Sequence, residues 1–488
     1  MKNILITVPE LSYSGSVYSA LRIARVLKKK YKVALISYEE GAFRKEYEAE
    51  SIEVSIIDKN CIYGNDSLEK LLLNYDLIIV NTIIMYALAD YSKNIIPTIW
   101  YIREAHNLSW QFFKYDYRRY YALKRADNIY AVSEYAADYI KGINTKVRVI
   151  HNCVEDAYGK YAPTVKKDRI IRFLMLGTLE PRKAFDVAIR SYKKIEKNLK
   201  EQSELHFAGR QMGYAKDYAM ELLKLAESTE GVFYHGEIQD RDELMHLMAN
   251  SDVIVVPSKD ESCSLVALEG AMMAKPLILS QNIGAKYLLK DEDPLVFQTD
   301  NEDSLAEKMS LCINGKEKLA EIGNTNRVEY LKTSTFDIYE KNILQMVEDN
   351  LIDDLLRFRE ERKQLALLEE KLRTAENSDI KPLYIFCNVP RKNDENVIYG
   401  AGEVGIALVR KCRSEGIGFE WTDSSDAKWG KIIEGEKIQS LREMSFLNKK
   451  IYIAVYSKKI ADTIIHDLKE IAANAVDIIW VNPELIRK

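Results

Sequence analysis

Short apolar runs recur along the chain, each closed by a polar stretch and followed by a segment of helical spacing. Asn3–Thr7 reads as a first strand, and apolar positions at helical period predict a helix over Gly15–Lys30. Strands are expected at Val33–Ser37, Glu53–Ile57, Leu77–Val80, Thr98–Ile102, Asn128–Val132 and Arg148–Ile150. The alternation restarts at Arg169, with strands at Ile170–Leu176, Glu204–Ala208, Val232–Tyr234, Val253–Val256 and Pro276–Ser280. Helices are expected at Phe185–Lys197, Tyr218–Glu227, Arg241–Ala249 and from Phe336 past Val347. Strands that alternate with helices imply parallel sheets covered on both faces. Two such sheets make the cleft between them the natural active site.

Beyond residue 350 the pattern changes. Residues 351–376 are dense in charge, with Ile352, Leu355, Leu365, Leu368 and Leu372 at roughly helical spacing, which reads as a long helical connector. After a polar break at Glu376–Asp379 a third α/β unit begins. It holds Gly400-Ala-Gly402-Glu-Val-Gly405 between a strand and a helix, with Asp423 ending the next strand, the dinucleotide-type fingerprint in its proper context. No catalytic base or substrate domain follows it, so nicotinamide redox chemistry is not inferred. The domains read as 1–165, 166–348, a helical connector at 349–380, and 381–488.

The chain has 488 residues, which predicts about two to four domains. Its net charge of −4 argues against nucleic acid as a partner. Six scattered cysteines offer neither a disulfide framework nor a zinc cluster and fit a reducing cytoplasm. The first residues read as a strand, not a signal peptide, and no apolar run reaches membrane-spanning length. Thirty tyrosines is a high count, of a residue suited to sugar and interface contacts.

The richest segment is Pro257–Pro276, which follows the Val253 strand and carries Glu261 and Glu269. Glu261 falls in a loop at a strand end, and Glu269 inside a helix that starts near Ser264. Such a place offers backbone N–H groups to an anion, while carboxylates accept hydroxyls. A nucleotide sugar has both features. The motifs around this segment follow one another in order: Ser14-Gly15-Ser16, Val132-Ser133-Glu134, Val149-Ile-His-Asn152, Gly177-Thr-Leu-Glu-Pro-Arg-Lys183, Phe233-Tyr-His-Gly236, then Pro257–Glu269. Through them, residues 1 to about 348 resemble the retaining GT-B glycosyltransferases of family 4. The resemblance implies a GT-B fold of two doubly wound Rossmann-like domains, to which the connector and a third Rossmann-like domain are added. It also implies transfer of a sugar from a nucleoside-diphosphate donor to a glycan or lipid-linked acceptor in bacterial surface-polysaccharide synthesis. No residue is an obvious covalent nucleophile, so retention by same-face attack assisted by the leaving phosphate is expected.

By the same resemblance Glu261 meets the donor sugar, Glu269 the ribose and Lys183 the phosphates. Arg182 and Lys183 would steady charge growing on the leaving group. The family frequently has arginine where Thr178 stands, and Arg182 is expected to supply that charge. Ala184 replaces a common glycine. Ser262-Cys263-Ser264 replaces a frequent Gly-Phe-Gly, so Ser262, Cys263, Ser264 and Leu265 are donor-side candidates that bear on which sugar is taken. Gly15 and Gly177 would let phosphate or acceptor approach the backbone, a simple turn being the alternative at Gly15. Where many relatives read His-Glu this chain has Arg103-Glu104, with His106 just beyond; Arg103 or His106 is expected to contact the reacting sugar or the acceptor, with Glu104 orienting either, a purely structural loop being the alternative.

Asp291-Glu-Asp293 spells a manganese motif of the other glycosyltransferase fold, but it follows a helix tail and precedes Pro294, as an exposed acidic turn does. The six histidines show no ligand spacing, so no metal and no cofactor beyond the donor is expected. Trp110–Arg125 mixes aromatics with five basic residues and one acid; it is either a stripe packed on the first sheet or a peripheral contact at the inner membrane face. The third unit resembles Rossmann-like modules appended to surface-polysaccharide enzymes. Gly400, Gly402, Gly405 and Asp423 are then a nucleotide site, or the unit serves assembly, with a second copy or a partner enzyme meeting 349–488. A nucleotide-sugar epimerase and a non-catalytic scaffold are the rival functions.

Overall fold

A computed structural model describes residues 1–106, 108, 116, 118–161, 170–290, 294–376, 383–386, 388–455, 458–472, 475, 477–481 and 483–487. The first apolar runs form β1 (Asn3–Glu10), β2 (Lys32–Glu39), β3 (Glu53–Ile56), β4 (Leu77–Asn81), β5 (Thr98–Ile102), β6 (Asn128–Ala131) and β7 (Val147–Val149). They lie parallel in the order β3-β2-β1-β4-β5-β6-β7. β4 and β5 are buried at every position, as expected of central strands covered on both faces. β1 runs past the expected Thr7 because its register with β2 continues to the Glu10–Glu39 pair.

The second lobe is built on β8 (Ile171–Leu176), β9 (Ser203–Ala208), β10 (Val232–Tyr234), β11 (Val253–Val256), β12 (Leu277–Ser280) and β13 (Val296–Phe297). Their order is β10-β9-β8-β11-β12-β13. The hydrophobic pattern does not mark the two-residue β13 or helices Glu302–Asn314 and Leu319–Thr333. The helix expected over Phe185–Lys197 stops at Lys194, where Ile195 turns extended (φ −62°, ψ 141°). Strand order reverses beside β1 in one sheet and beside β8 in the other, and the crevices at the carboxyl ends there are where open α/β sheets bind ligands.

Helix Phe336–Glu348 closes the second half of the sequence, yet it packs on the first lobe. Tyr339, Ile343, Met346 and Val347 are buried in the same apolar cluster as β1 and helix Gly15–Leu27. Lys29 pairs with Glu340 at 2.6 Å and Lys30 with Glu348 at 2.5 Å.

The chain divides into two compact units, Met1–Gln364 and Leu365–Lys488, and helix Leu355–Glu376 runs across that division. The second unit contains β14 (Leu383–Phe386), β15 (Asn396–Tyr399), β16 (Glu420–Thr422), β17 (Ile432–Ile433), β18 (Glu436–Lys437), β19 (Lys450–Ile453), β20 (Asp477–Trp480) and β21 (Pro483–Arg487). Four of these form a parallel sheet in the order β16-β15-β19-β20. β14 and β21 pair antiparallel, so the unit's first and last strands meet, and β17 and β18 make a small hairpin.

Candidate functional site

β11 leads into the loop that carries Glu261. The Glu261 N–H donates to the Asn282 carbonyl at 3.1 Å, and its own carbonyl accepts from the Gly284 N–H at 2.8 Å. The residue is thereby fixed like one more rung beside the sheet. Lys183 Nζ donates to Glu261 Oε1 at 3.0 Å and Oε2 at 2.7 Å, and Arg182 Nη1 lies 3.4 Å from Oε2. Burial alone pushes this carboxyl up, but Lys183 and Arg182 outweigh it and hold Glu261 below the ordinary carboxylate range.

Lys183 ends a 3₁₀ turn, Pro181–Lys183, after which Ala184 sits in the left-handed region (φ +51°). That is the physical reason a glycine suits this place. Gly177 has φ +150°, and its carbonyl lies only 1.6 Å from where a Cβ on Gly209 would stand, so the two loops touch backbone to backbone. Arg182 is half exposed. It donates to Glu180 at 2.8 Å and to the Asp260 carbonyl at 3.0 Å. Thr178, in the position of the family's arginine, donates to the same Glu180 oxygen at 3.0 Å. Tyr214 takes the other oxygen. Arg182 therefore braces the Glu261 loop from behind as well as adding charge.

A cleft of about 680 Å³ lies between the lobes. Lys183, Glu261, Ser262, Cys263, Ser264 and Leu265 line one wall, and Ser14, Gly15, Ser16, Thr82, Arg103 and Glu104 the other. Nothing stands within 4 Å of the place where a Cβ on Gly15 would be, so this glycine leaves space at the start of helix Gly15–Leu27. Across the cleft, Ser264 caps helix Leu265–Met272 by accepting the Ala267 N–H at 3.3 Å.

Arg103 is held by three contacts: Nε on Asn81 at 2.5 Å, Nη1 on Asn152 at 3.3 Å, and the guanidinium 4.5 Å over the Tyr101 ring. Glu104 accepts the Ile83 and Arg103 N–H groups at 3.1 Å and 3.0 Å, and its burial pushes its carboxyl up despite them. His106 lies 3.1 Å from the Tyr139 hydroxyl and is not among the residues lining the cleft.

Both neighbours of Glu261 are gripped by the first lobe. Ser133 Oγ donates to the Ser262 carbonyl at 2.6 Å, and the Tyr135 hydroxyl to Asp260 at 3.1 Å. A Cβ on Gly284 would stand 1.8 Å from the Ser262 oxygen and 2.5 Å from Ser133 Oγ, so only glycine fits beneath this junction. His151 is pinned on the same side, 2.9 Å from Glu134 and stacked at 3.7 Å on Tyr287.

Glu269 is buried on helix Leu265–Met272, where Arg241 donates to its Oε1. It lines an adjoining recess of about 560 Å³. Leu265 borders both the recess and the cleft, so Lys183 and Glu269 face neighbouring cavities bridged by one side chain. Sequence reasoning did not find Arg241, Glu180, Asn81 or Tyr135, nor the role of Ser133. Asn81 alone carried a signal, as the polar end of an apolar strand.

In the second unit Gly400 has φ +116°, and its carbonyl lies 1.8 Å from where a Cβ on Gly405 would stand. Gly402 is the N-cap position of helix Glu403–Glu415. Asp423 is buried; its Oδ2 accepts the Ala401 N–H at 2.5 Å and Lys428 at 3.0 Å, and Oδ1 the Ser425 N–H at 2.8 Å. Its carboxylate thus ties the glycine-rich loop to the next strand.

Among the described residues no cluster of His, Cys, Asp and Glu is placed to hold a metal, and no helix is long and apolar enough to cross a membrane. Asp291–Asp293 lie outside the described residues. So does most of Trp110–Tyr117, while Arg118–Lys124 is a helix that buries Ala122 and Leu123.

Comparison with known proteins agrees with this fold. Residues 13–158 match the model described as Glycosyltransferase Family 4, and residues 162–329 the model described as Glycosyl transferases group 1. An uncharacterized glycosyltransferase of Methanocaldococcus jannaschii, MJ1178, is 25% identical over 246 residues, 49% of this chain and 62% of that protein. The fold is similar to that of Anabaena HepE, solved with UDP and glucose (TM-score 0.60, 17% identity, 71% of this chain and all of the other). It is also similar to that of the lipopolysaccharide outer core galactosyltransferase WaaB (TM-score 0.55, 14% identity, 72% of this chain and all of the other). The chain spans about three fifths of the length of the curated relative it matches, and two adjoining glycosyltransferase family models lie over its two N-terminal lobes, which have the GT-B fold.

Proposed function

We propose that the chain transfers a sugar, with retention and without a metal, from a nucleoside-diphosphate sugar to a hydroxyl of a glycan or lipid-linked acceptor. The observation that carries this reading is the Lys183–Glu261 pair, set in an inter-lobe cleft one helix start away from Glu269. An ammonium has three N–H donors, so Lys183 can keep Glu261 and still meet a phosphate oxygen. The N-terminus of helix Leu265–Met272 offers backbone N–H groups and a positive dipole end to the same phosphates. As the glycosidic bond breaks, charge builds on the leaving phosphate, where fixed donors favour the transition state over the ground state. Glu261 then orients the sugar hydroxyls, and Glu269 holds the ribose once Arg241 yields or shares Oε1. Arg103, locked by Asn81 and Asn152, stands on the acceptor wall.

The UDP and glucose bound by the Anabaena neighbour support a nucleotide-sugar donor. The lipopolysaccharide role of the galactosyltransferase neighbour supports a surface-glycan acceptor. Peripheral membrane contact through 110–125 belongs to the same reading, and flotation with anionic vesicles tests it. In the second unit, Gly402 leaves open space at the start of helix Glu403–Glu415 where a phosphate would sit, while Gly400 and Gly405 are filled by close backbone packing. Asp423, already bound to Ala401, would have to share its carboxylate with a ribose.

A thermal-shift screen against UDP-, GDP-, dTDP- and CMP-sugars, followed by release of nucleoside diphosphate with and without acceptor, tests the proposal. A donor that raises the melting temperature, with Glu269→Ala abolishing the rise, supports it. Release that never depends on an acceptor favours an epimerase, and binding without any turnover favours the scaffold.

A further inference from the structure

We propose that Tyr13 and Tyr18 form an aromatic platform on which a pyranose ring of the acceptor stacks, a subsite at the mouth of the cleft. This rests on the transferase reading above. Tyr13 immediately precedes Ser14, Gly15 and Ser16, which line the cleft, and Tyr18 follows on the first turns of helix Gly15–Leu27. Both residues are exposed, at 44% and 48%.

They are not loose. Their centroids lie 6.2 Å apart with the ring planes inclined by 51°, so each offers its own face, and each stands edge-on to Phe43, at 5.1 Å and 4.7 Å. Phe43 is fully buried and rests on Tyr47, whose hydroxyl bonds the Val17 carbonyl at 3.0 Å. The Phe43 N–H in turn bonds the Leu11 carbonyl at 3.0 Å, which locks the loop after β2 onto the loop after β1. Fixed aromatic faces cost little entropy when a ligand settles on them.

The occupant follows from chemistry and place. One face of a pyranose is a patch of polarised C–H groups, which suits the negative face of an aromatic ring, while its rim of hydroxyls suits tyrosine O–H groups and a nearby ammonium. Lys45 Nζ lies 5.9 Å from the Tyr13 ring and supplies that ammonium. The platform adjoins the wall opposite Lys183 and Glu261, so what binds there enters from the acceptor side.

The test is saturation-transfer NMR on the full chain with methyl glucoside, galactoside, mannoside and N-acetylglucosaminide as probes. At least one should show transfer concentrated on the C–H groups of a single ring face. Tyr13→Ser and Tyr18→Ser should each weaken its affinity about 2- to 10-fold, the worth of one aromatic contact, and Tyr18→Phe should retain it. Loss of the signal in Tyr18→Phe, undiminished signal in both serine variants, or no signal with any probe overturns the platform. So does a tyrosine-dependent dimer in sedimentation, which would make these rings a self-interface. The thermal shift by the nucleotide sugar should be the same in native chain and variants. If no nucleotide sugar shifts the native chain, the transferase reading fails by itself, and the NMR still decides the subsite.

Discussion

Ser133 and Ser262, from different lobes, are joined by a hydrogen bond of 2.6 Å from the Ser133 hydroxyl to the Ser262 carbonyl. The same hydroxyl accepts the Ala136 N–H at 3.1 Å as the cap of helix Glu134–Lys141. With Tyr135 on Asp260, it makes the position of Glu261 depend on how the lobes meet. Ser133→Ala should lower turnover about 3- to 10-fold, the worth of one hydrogen bond of about 1 kcal/mol, with donor affinity changed less. Ser133→Thr keeps both the cap acceptor and the hydroxyl donor, so its turnover and melting temperature should both stay closer to native than those of Ser133→Ala. If turnover in Ser133→Ala stays native, or falls as far in Ser133→Thr as in Ser133→Ala while the melting temperature of Ser133→Thr holds, the junction does not set turnover.

Lys183 and Glu261 are both largely buried, at 16% and 14% side-chain exposure. Removing Lys183 leaves Glu261 only the longer 3.4 Å ion pair with Arg182. Lys183→Met should cost about 3 kcal/mol of unfolding free energy, and Lys183→Met with Glu261→Gln should cost less than Lys183→Met alone. Transfer should be lost in all. Denaturant melts and a nucleoside-diphosphate release assay measure both; additive stability losses would refute the coupling.

The pair also sets a pH dependence. Glu261 is depressed in the folded state, so its contribution is complete above the ordinary carboxylate value and is lost as pH falls through the lowered one. The stability gap between native chain and Glu261→Gln should close between about pH 4.3 and the depressed value. Melting temperatures of the two across acid pH check it; a gap that stays constant contradicts the ion pair.

Gly284 is the packing constraint beneath the junction. Gly284→Ala would drive a methyl into the Ser262 carbonyl and Ser133 Oγ. It should destabilise by about 1–3 kcal/mol and reduce turnover together with Ser133→Ala rather than in addition to it. A double mutant whose turnover losses multiply would separate the two sites.

Glu269 is the test of the ribose assignment. Glu269→Ala should weaken donor binding about 10- to 100-fold, as loss of charged hydrogen bonds of about 1.5–3 kcal/mol does. The same variant leaves Arg241 without its acceptor, so a nucleotide-independent loss of melting temperature should accompany it. Isothermal titration with the donor found by screening measures the first; unchanged affinity would remove Glu269 from the site.

Alternation of apolar runs and helical spacing was enough to determine two parallel sheets and a third α/β unit, because strands buried on both faces leave continuous hydrophobic runs in the chain. It also put Glu261, Lys183, Arg103 and Gly15 at loop positions on carboxyl ends of strands, where such sheets bind ligands. Local pattern could not say which loops face each other. That Arg182 reaches Glu261, that Arg241 holds Glu269 and that Ser133 reaches Ser262 are contacts between residues far apart in the chain. The first two depend on how loops far apart in sequence meet over the second sheet, and the last on how two separately twisted sheets pack, with helix Phe336–Glu348 returning to the first lobe. His106 shows the limit most plainly: four positions beyond the end of β5 and two beyond Glu104, which does line the cleft, it turns to Tyr139 instead, because side-chain direction in a loop is set by what packs beside it and not by its spacing in the sequence.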